Sequence, residues 1–504
     1  MQFLVRNIRR FAVVVILLGA TAAIVLLSRV SPTSEVPSPA IIVSSKLAMP
    51  SVVGNSPTSS WFCPGVPGRD KNIKSEIIVA NPTQVPITGT ISILSNEEPD
   101  FSTTVIIAPL TRGSFDATQG RKSQYMSAIV ELDSGQASVE QRIIHPAGDS
   151  ISLCANQTSD RWLFADGFTG AESPFEILLT NPFPDATVVD LSFVTIDGSR
   201  QPAALKGMVL PARSVTGISM GDQGARNEAT LAVTVRATSG RFIAGKLQHF
   251  LGRGRLGFTS ALGASSTSRQ WWFAAGEKGP GIDEQLVVFN PTQIDQTVSI
   301  AFLTGAAEAL LREPLVLSVP AGRVTTLSTS SLPAITDGRY GIFVSSVTND
   351  FVTSADNALA EFVVVEQVVS ETIGKKTGTS VILGAPYGSP SRIWTSPSGL
   401  VVGDLGSLVI ANTTSLDATL RVSTIGPSGA APIVGLEQVA LAGASVVSIQ
   451  IPLAIAQLQI LVESDTEVIV QREVSRGHQL LGSSAVLALP YRLLPTSNNN
   501  SSNK

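Results

Sequence analysis

Residues 272–303, WFAAGEKGPGIDEQLVVFNPTQIDQTVSIAFL, set the pattern for the whole chain. They contain an aromatic pair, a short apolar run that ends at Asn290, and an alternating segment. The pattern occurs four times, and the other copies run from Trp61 to Asn81, from Trp162 to Asn181 and from Trp394 to Asn412. The Trp-to-Asn spacing is 20, 19, 18 and 18 residues, whereas successive Asn residues lie 100, 109 and 122 apart. Spacing that is tight within a unit and loose between units predicts duplicated units with variable loops.

The alternating segment predicts a half-buried β-strand. In the third copy, Val298, Ile300 and Phe302 recur with a period of two, and the residues between them, such as Ser299, are small or polar. Asn before Pro predicts the turn ahead of this strand, because Pro keeps the preceding residue extended and an Asn side chain can bond to the backbone ahead. Asn412 is followed by Thr413, so the fourth copy departs from the pattern at that point.

Each unit contains seven or eight short strands in about 100 to 120 residues and no convincing amphipathic helix, a pattern typical of an immunoglobulin-like sandwich. The sequence therefore predicts an all-β protein of four tandem immunoglobulin-like antiparallel β-sandwich domains after one N-terminal transmembrane helix. The predicted domains are 58–159, 160–268, 269–389 and 390–491. A four-bladed propeller is the alternative, but a blade of about 40 to 50 residues is too short for these units.

Two further features recur late in each unit. One is a Gln in the penultimate long strand: Gln141, Gln248, Gln367 and Gln471. The other is a closing strand of small residues, as in 260–264 and 381–385. An Arg after a Pro-containing turn also recurs, at Arg112, Arg213 and Arg323.

The N-terminus predicts a membrane anchor. A basic segment, 1–10, precedes an uncharged apolar run, which we assign to a transmembrane helix at 11–28. Basic residues on the N-terminal side place that side in the cytoplasm and the bulk of the chain outside it. A cleaved signal peptide is the alternative, since 20–22 resemble a cleavage site; the protein would then be secreted. We predict a Pro/Ser-rich linker at 29–57 and a disordered tail at 492–504.

Composition limits the possible partners. The chain has 504 residues, 35 basic and 39 acidic residues and a net charge of −4, which argues against nucleic-acid binding. No small-molecule substrate is evident, and we expect no cofactor, no metal and no catalytic residue.

The two cysteines fit an oxidising compartment. Cys63 lies at the opening of the first unit and Cys154 at its close. We predict a disulfide bond between them, against the alternative of two buried free thiols.

Three motifs with possible chemistry have plainer explanations. The three histidines, His145, His249 and His478, fall in different units, so a shared metal site is not expected. Gly252, Gly254 and Gly257 match a dinucleotide-binding pattern, but a strand follows them where a helix is required, which favours a hairpin. The acids before the Asn strand lack the clustered carboxylates of a calcium site and are expected to be solvated: Glu76, Glu176, Asp283 and Asp404.

The full pattern resembles a family of tandem extracytoplasmic repeat proteins from actinobacteria. It is carried by Trp-Phe-x-x-Gly, a strand ending in Asn-Pro, a Pro/Arg turn and a late strand with a polar Gln-Arg or Glu-Gln pair, over residues 58–490. The opening Trp61-Phe62-Cys63-Pro64-Gly65 also resembles that family. The resemblance implies a secreted or membrane-anchored β-sandwich array of unknown function, and it supplies no catalytic residues.

Taken together, these features predict a non-catalytic, membrane-anchored ectodomain of the bacterial cell envelope that binds or scaffolds an envelope protein or cell-wall glycan. An accessory subunit of an envelope-biosynthesis membrane complex is one alternative. A cell-wall hydrolase is a weaker one, because it needs a nucleophile or paired carboxylates in a cleft.

Overall fold

Strands make up nearly all the regular structure in the parts of the chain that the computed structural model describes: 49–305, 314–333, 335–347, 362–397, 405–455, 457–476 and 482–493. Within these ranges the chain is all-β, as predicted, with several sheets and no α-helix. Three short 3-10 helices occur, at Gly170–Glu172, Ala203–Leu205 and Thr329–Ser331. The predicted transmembrane helix at 11–28 lies outside the described residues, and no helix within them is long and apolar enough to cross a membrane.

The strands of the first two repeats follow in chain order. A short strand before repeat 1 is β1 (Val52–Val53). Repeat 1 contains β2 (Ser59–Phe62), β3 (Val66–Pro67), β4 (Lys74–Ala80), β5 (Ile87–Ser95), β6 (Phe101–Ile107), β7 (Arg112–Asp116), β8 (Tyr125–Leu132), β9 (Ser138–His145) and β10 (Gly148–Leu153). Repeat 2 contains β11 (Arg161–Phe164), β12 (Phe175–Asn181), β13 (Thr187–Thr195), β14 (Gly198–Arg200), β15 (Met208–Leu210), β16 (Ser214–Ser219), β17 (Ala232–Ser239), β18 (Ile243–Gly252) and β19 (Arg255–Leu262).

The last two repeats have the same order. Repeat 3 contains β20 (Gln270–Lys278), β21 (Ile282–Asn290), β22 (Gln296–Leu303), β23 (Leu315–Val319), β24 (Arg323–Ser328), β25 (Gly338–Ser346), β26 (Val364–Ile373), β27 (Lys376–Leu383) and β28 (Ala385–Pro386). Repeat 4 contains β29 (Ser391–Ser396), β30 (Leu405–Asn412), β31 (Ala418–Gly426), β32 (Gly429–Pro432), β33 (Val439–Leu441), β34 (Val446–Gln450), β35 (Gln459–Ser475), β36 (Ser483–Leu487) and β37 (Leu489–Arg492).

Each repeat contributes to two antiparallel sheets, which we call inner and outer. The inner sheets have the orders β7-β4-β9-β10, β16-β12-β18-β19, β24-β21-β26-β27 and β34-β30-β35-β36. The outer sheets are built around β5 and β8, β13 and β17, β22 and β25, and β31 and β35. In repeat 1 the apolar residues of both sheets form one buried cluster around Trp61, so the two sheets share a core.

The four repeats close into a ring. The last strands of the inner sheets, β10, β19, β27 and β36, are the central strands: each packs against the next, and β36 packs against β10. The ring is also closed at its ends, because β1 pairs in parallel with β37, with Val52 opposite Tyr491. The sequence left the relative orientation of the repeats open. Circular closure is shared with a propeller, but each of these units has an inner and an outer layer of strands, which β35 joins into one sheet in repeat 4.

The small residues of the central strands are explained by their close packing. A Cβ added to Gly482 would lie 2.2 Å from the backbone nitrogen of Asp149 in repeat 1. Ser150 Oγ accepts a hydrogen bond from Ser260 N at 2.8 Å, and Ser484 Oγ accepts one from Ile151 N at 2.8 Å. Larger side chains would push these strands apart.

Equivalent contacts link each repeat to the one before it on the outside of the ring. The Arg positions after the Pro-containing turn supply two of them: Arg213 Nε lies 2.6 Å from Asp100 Oδ2, and Arg323 Nη1 donates to Ile196 O at 3.2 Å. Gly305 N donates to Ala444 O at 3.1 Å between repeats 3 and 4. Between repeats 4 and 1, Gln459 Nε2 donates to Thr111 O at 2.9 Å.

The repeated Asn does more than form a turn. Asn290 is fully buried, and its Nδ2 donates to the carbonyls of Ile294, Val319 and Pro320 at 2.8, 2.9 and 3.2 Å. Its Oδ1 accepts from Thr292 N at 3.0 Å, which is the predicted bond to the backbone ahead. Asn81, Asn181 and Asn412 are also fully buried and make equivalent bonds, so the missing Pro in repeat 4 changes nothing in this network.

The aromatic register of repeat 3 differs from the prediction by one residue. Trp271, not Trp272, is the buried counterpart of Trp61, Trp162 and Trp394. Its Nε1 donates to Val363 O at 3.1 Å, as that of Trp162 does to Phe242 O. Trp272 lies on the other face of the strand and stacks on Phe343, with ring centroids 4.0 Å apart. A period of two makes adjacent residues point to opposite faces, so the first of the two Trp residues enters the core.

Repeat 4 also differs in one strand. The sequence predicts a turn at Ser464 and Asp465, but β35 runs without a break from the outer sheet into the inner one. In repeats 1 and 2 the equivalent strands are separate, and Gly135 and Gly240 lie in the connections. Repeat 4 has no glycine between 463 and 467, and its backbone stays extended there.

We expect Asn290→Ala to lower the free energy of unfolding by about 3 kcal/mol or more, because three buried carbonyls lose their donor. Chemical denaturation of the full chain measures this. The matched control is Asn72→Ala at an exposed position, which we expect to change stability by less than about 0.5 kcal/mol. Equal effects of the two substitutions would show that the buried amide is not a main source of stability.

The structure contains the Cys63–Cys154 disulfide, between residues 91 apart in the chain. Replacing both cysteines by Ser should lower the free energy of unfolding by up to about 4 to 5 kcal/mol, since the bond limits the unfolded chain. Denaturation with and without reductant measures the effect. Reductant should destabilise the native chain and leave the double variant unchanged; insensitivity of the native chain would contradict the prediction.

Candidate functional site

Three of the recurring Gln residues of the inner sheets bond to the segment that follows the buried Trp of their own repeat, whereas Gln471 bonds to Ala275 of repeat 3. Gln141 exchanges hydrogen bonds with the backbone of Gly65, and Gln248 does so with Phe168. Gln367 donates to Ala275 O at 3.0 Å and also to the carboxylate of Glu284. These bonds fix the inner-sheet strands, which carry the polar residues at the contacts between repeats. Those contacts differ from one junction to the next.

The junction between repeats 4 and 1 is closed by buried ion pairs. Arg472 Nη2 lies 2.9 Å from Glu140 Oε2, and both side chains are at most 2% exposed. Asp149 accepts from Arg142 at 3.3 Å and also pairs with Arg476. Opposite charges that are buried together and hydrogen-bonded offset much of the cost of removing them from water.

The junction between repeats 2 and 3 is closed by a second pair of this kind and by aromatic rings. Lys246 Nζ lies 2.9 Å from Glu366 Oε2, with both side chains at most 1% exposed. Arg255 Nη1 lies 3.0 Å from Asp166 Oδ1 and reaches Gln285 of repeat 3 through Nη2. The guanidinium lies 5.2 Å from the ring centroid of Phe168 and 5.9 Å from that of Phe250, so these rings fill the remaining space.

The junction between repeats 1 and 2 brings two of the three histidines together. The rings of His145 and His249 lie 4.9 Å apart, and His145 stacks against Phe258 at 4.8 Å. His145 Nδ1 accepts from Ala147 N, and its Nε2 lies 3.8 Å from Asp70 Oδ2. Burial lowers the pKa of both rings, and for His145 the neighbouring His249 lowers it further. The two histidines thus meet across the junction as packed rings, while His478 lies outside the described residues.

A shallow depression of about 510 Å³ lies on the outside of the same junction. Tyr125 forms one wall and donates from its hydroxyl to Glu176 Oε1 at 2.8 Å. Burial raises the pKa of Glu176, and the hydrogen bond from Tyr125 opposes this shift. The acid expected to be solvated is therefore part of the contact between repeats 1 and 2.

The junction between repeats 3 and 4 contains a polar cavity. Its volume is about 200 Å³. Its charged lining residues are Glu277, Glu371 and Arg339 from repeat 3 and Glu473 from repeat 4. Arg339 Nη2 lies 2.9 Å from Glu277 Oε2, and Nη1 lies 2.8 Å from Glu473 Oε2. One guanidinium thus bridges two carboxylates from different repeats, and Glu371 has no ion pair within 4.0 Å among the described residues.

The cavity exists because two phenyl rings have no counterpart here. Counting from the buried Trp, Glu277 occupies the position of Phe168; in the pairing of the late strand with the closing strand, Glu371 occupies the position of Phe250. Both substituted positions line the cavity. Smaller or polar side chains therefore leave open in this junction the space that aromatic rings fill between repeats 2 and 3.

The electrostatics of the cavity favour a positive ligand. Three carboxylates face one guanidinium, which leaves two negative charges in excess when all three are ionised. Burial raises the pKa of Glu277 and of Glu371, and Arg339 opposes both shifts. Burial alone would lower the pKa of Arg339, but the combined field of Glu473, Glu277 and Glu371 outweighs it and raises that pKa. A second cation would relieve the repulsion among the carboxylates.

Two buried polar groups in the cavity wall have no hydrogen-bond partner among the described residues. Ser380 is 8% exposed and Gln471 only 1%, and both line the cavity. Gln471 Oε1 accepts from Ala275 N at 3.3 Å, whereas its Nε2 and the Ser380 hydroxyl are free to bond to a ligand.

The remaining predicted motifs can now be placed. Gly252, Gly254 and Gly257 lie in the β18–β19 hairpin, with Gly252 opposite Arg255, as the favoured interpretation predicted. Asp283 accepts a hydrogen bond from Gln285, and Asp404 lies outside the described residues. No group of three or more His, Cys, Asp or Glu among the described residues is arranged to hold a metal ion.

The residues of the cavity were missed by the sequence analysis. The late Gln residues do not share one structural position, because the counterparts of Gln141 and Gln367 in the strand pairing are Lys246 and Arg472. Counting from the late Gln therefore does not align Glu473 with the residues that correspond to it.

The histidine pair predicts a pH-dependent stability. Because the pKa of each ring is lower in the folded chain than in the unfolded one, the folded state disfavours protonation. The resulting stability is present above about pH 6.5 and is lost as the pH falls below that value. Chemical denaturation between pH 5 and 8 should show this loss, and His249→Gln should reduce it. A variant with the same pH dependence as the native chain would contradict the prediction; Asp70, Asp149 and Arg476 stay unchanged in this comparison.

Comparison with known proteins adds a family of unknown function. Residues 136–382 match the model of a family described as a family of unknown function, DUF5719. This stretch runs from the end of repeat 1 through most of repeat 3. No curated protein matches the chain.

Three solved structures are distantly similar. A structure titled "Crystal Structure of Thermotoga maritima 1070" is 17% identical, with 24% of this chain and 95% of that chain covered and a TM-score of 0.18. A biofilm-associated protein BSP domain is 8% identical over 87% of this chain and 96% of its own, with a TM-score of 0.13. A tetra-tandem repeat from the extending region of a large adhesion protein is 9% identical, with 81% and 93% covered and a TM-score of 0.10. The chain is thus similar over part of its length to a family without an established activity.

Proposed function

We propose that this chain is a non-catalytic binding protein of the bacterial cell envelope. Residues 11–28 anchor it in the cytoplasmic membrane, and four immunoglobulin-like β-sandwich repeats lie outside as a ring. An actinobacterial envelope is the setting that the sequence resemblance favours. The partner is an envelope protein or a cell-wall glycan.

The observation that carries the binding role is the open junction between repeats 3 and 4. Buried ion pairs close the junctions between repeats 4 and 1 and between repeats 2 and 3, and aromatic rings also fill the second of these. The junction between repeats 3 and 4 instead has a cavity with partly buried carboxylates. Polar groups that line a cavity in a rigid scaffold and have no protein partner can bond to a ligand in place of water, so such a cavity is the default binding site.

Two observations support the location outside the cytoplasm and the immunoglobulin-like architecture of the repeats. The Cys63–Cys154 disulfide suits an oxidising environment outside the cytoplasm. The two antiparallel sheets of each repeat, with a shared core in repeat 1, support the immunoglobulin-like assignment.

The carboxylates also bear on the hydrolase alternative. Glu277 and Glu473 lie in a cleft, as that reaction class requires, but Arg339 bonds to both. Arg339 donates to both oxygens of Glu473 and lies 2.9 Å from one oxygen of Glu277, so the guanidinium occupies carboxylate oxygens that a hydrolase would need to present to its substrate. This arrangement favours binding over hydrolysis.

The full chain, expressed with a C-terminal tag, should remain in the membrane fraction after alkaline carbonate extraction, with the tag accessible to protease from outside. The control replaces 11–28 with a cleavable signal, and we expect it to be released. Membrane retention of the control would contradict the anchor.

Purified full chain in detergent should co-sediment with isolated cell-wall sacculi or form a stoichiometric complex with a single envelope protein, without degrading the wall. Release of soluble wall fragments by the pure protein would overturn the non-catalytic assignment. Recovery only as a fixed-ratio part of a biosynthetic membrane complex would favour the accessory-subunit alternative.

A further inference from the structure

We propose that the cavity between repeats 3 and 4 binds a protonated primary amine that carries a hydroxyl or carbonyl oxygen beside it. This inference rests on the proposed binding function and specifies the chemistry of its ligand. The cavity is defined by Glu277, Glu371, Arg339 and Glu473, together with Ser380 and Gln471.

The charge pattern selects a cation. Arg339 is the one cationic residue among the described residues that line the cavity, and it already bonds to Glu277 and Glu473. Glu371, half-buried and without an ion pair, lies within the field of both Arg339 and Glu473. An ammonium group next to Glu371 would neutralise one of the two excess negative charges, and charge-assisted hydrogen bonds of this kind are the stronger ones.

The neutral polar groups select an oxygen next to that amine. Gln471 Nε2 can only donate, so it requires an acceptor, and the Ser380 hydroxyl can donate or accept. Neither has a partner among the described residues, although both side chains are more than nine-tenths buried. A bare alkylammonium ion would leave both unsatisfied, whereas an amine flanked by a hydroxyl or carbonyl oxygen would satisfy them.

The size of the cavity limits the ligand to one unit. A volume of about 200 Å³ holds about six or seven water molecules at about 30 Å³ each. That space suits a single amino sugar residue or one basic amino-acid residue with its carbonyl. The two sources share the same recognition chemistry, and binding experiments can separate them.

The cavity can be closed without removing a charge. Val369→Phe adds a ring to an uncharged side chain of the cavity wall. The substitution should fill the space that the ligand needs. Glu371→Gln removes the unpaired carboxylate with little change in volume, and Glu131→Gln is the matched control at an exposed site in repeat 1.

Isothermal titration calorimetry on the full chain in detergent, at low salt and neutral pH, tests the proposal. The probes are glucosamine and lysine amide, whose free α-amine lies beside its carbonyl, and their neutral controls are N-acetylglucosamine and Nα-acetyl-norleucine amide. We expect at least one amine to bind and its neutral control to bind at least about tenfold more weakly. Glu371→Gln should weaken amine binding by about tenfold or more, and Val369→Phe should abolish it. Glu131→Gln should stay within about twofold of the native chain.

Tighter binding of glucosamine would support a glycan ligand, and tighter binding of the lysine amide would support a protein ligand. Absence of binding by both amines at about 10 mM, equal binding of charged and neutral probes, or full binding by Val369→Phe would overturn the proposal. Thermal unfolding of each variant shows that loss of binding is not loss of fold; should Val369→Phe be unstable, Glu371→Gln carries the test. Continued binding of sacculi or of an envelope protein by variants that no longer bind amines would sink this inference and leave the proposed function standing.

Discussion

The close packing of the four central strands is the constraint on which the rest of the structure depends. Strands β10, β19, β27 and β36 lie so near to one another that side-chain hydroxyls of one repeat bond to the backbone of the next. Because the central strands are covered on both sides, the late strands beside them are also buried on both faces. The polar residues of those strands therefore cannot reach solvent, and each needs a partner inside the ring.

The resulting buried ion pairs explain why repeats that share one fold close the ring in a single order. Apolar faces alone would fit several arrangements of duplicated repeats, since the hydrophobic effect is not directional. The Arg472–Glu140 and Lys246–Glu366 pairs join specific repeats across opposite junctions of the ring. A wrong order would leave a buried charge without its counter-charge, which costs several kcal/mol. The pairs thus favour one closure even where their net contribution to stability is small.

Sequence reasoning succeeded where a residue acts within its own repeat. The Asn could be found because each copy needs it for the same local reason, namely the three carbonyls that Asn290 satisfies in repeat 3. It failed by one residue at Trp271 and Trp272, because adjacent aromatic residues in a strand differ only in the face they occupy. The ring could not be predicted, because its closure depends on contacts between residues more than 300 positions apart, such as Arg472 with Glu140.

The candidate site is formed by contacts between repeats. The sequence comparison did not find it, because that comparison used only the features that the repeats share. A residue that maintains the fold of a repeat must stay the same in all four repeats. A residue in a junction needs to fit only the one repeat that it contacts. Phe168 and Phe250 fill the junction after repeat 2, and the equivalent Glu277 and Glu371 leave the junction after repeat 3 open. Buried ion pairs join repeats at two other junctions, so one junction can have polar groups in place of packed rings. In a ring of duplicated units, the position at which the copies differ most in volume and charge is therefore where a ligand-binding function can arise.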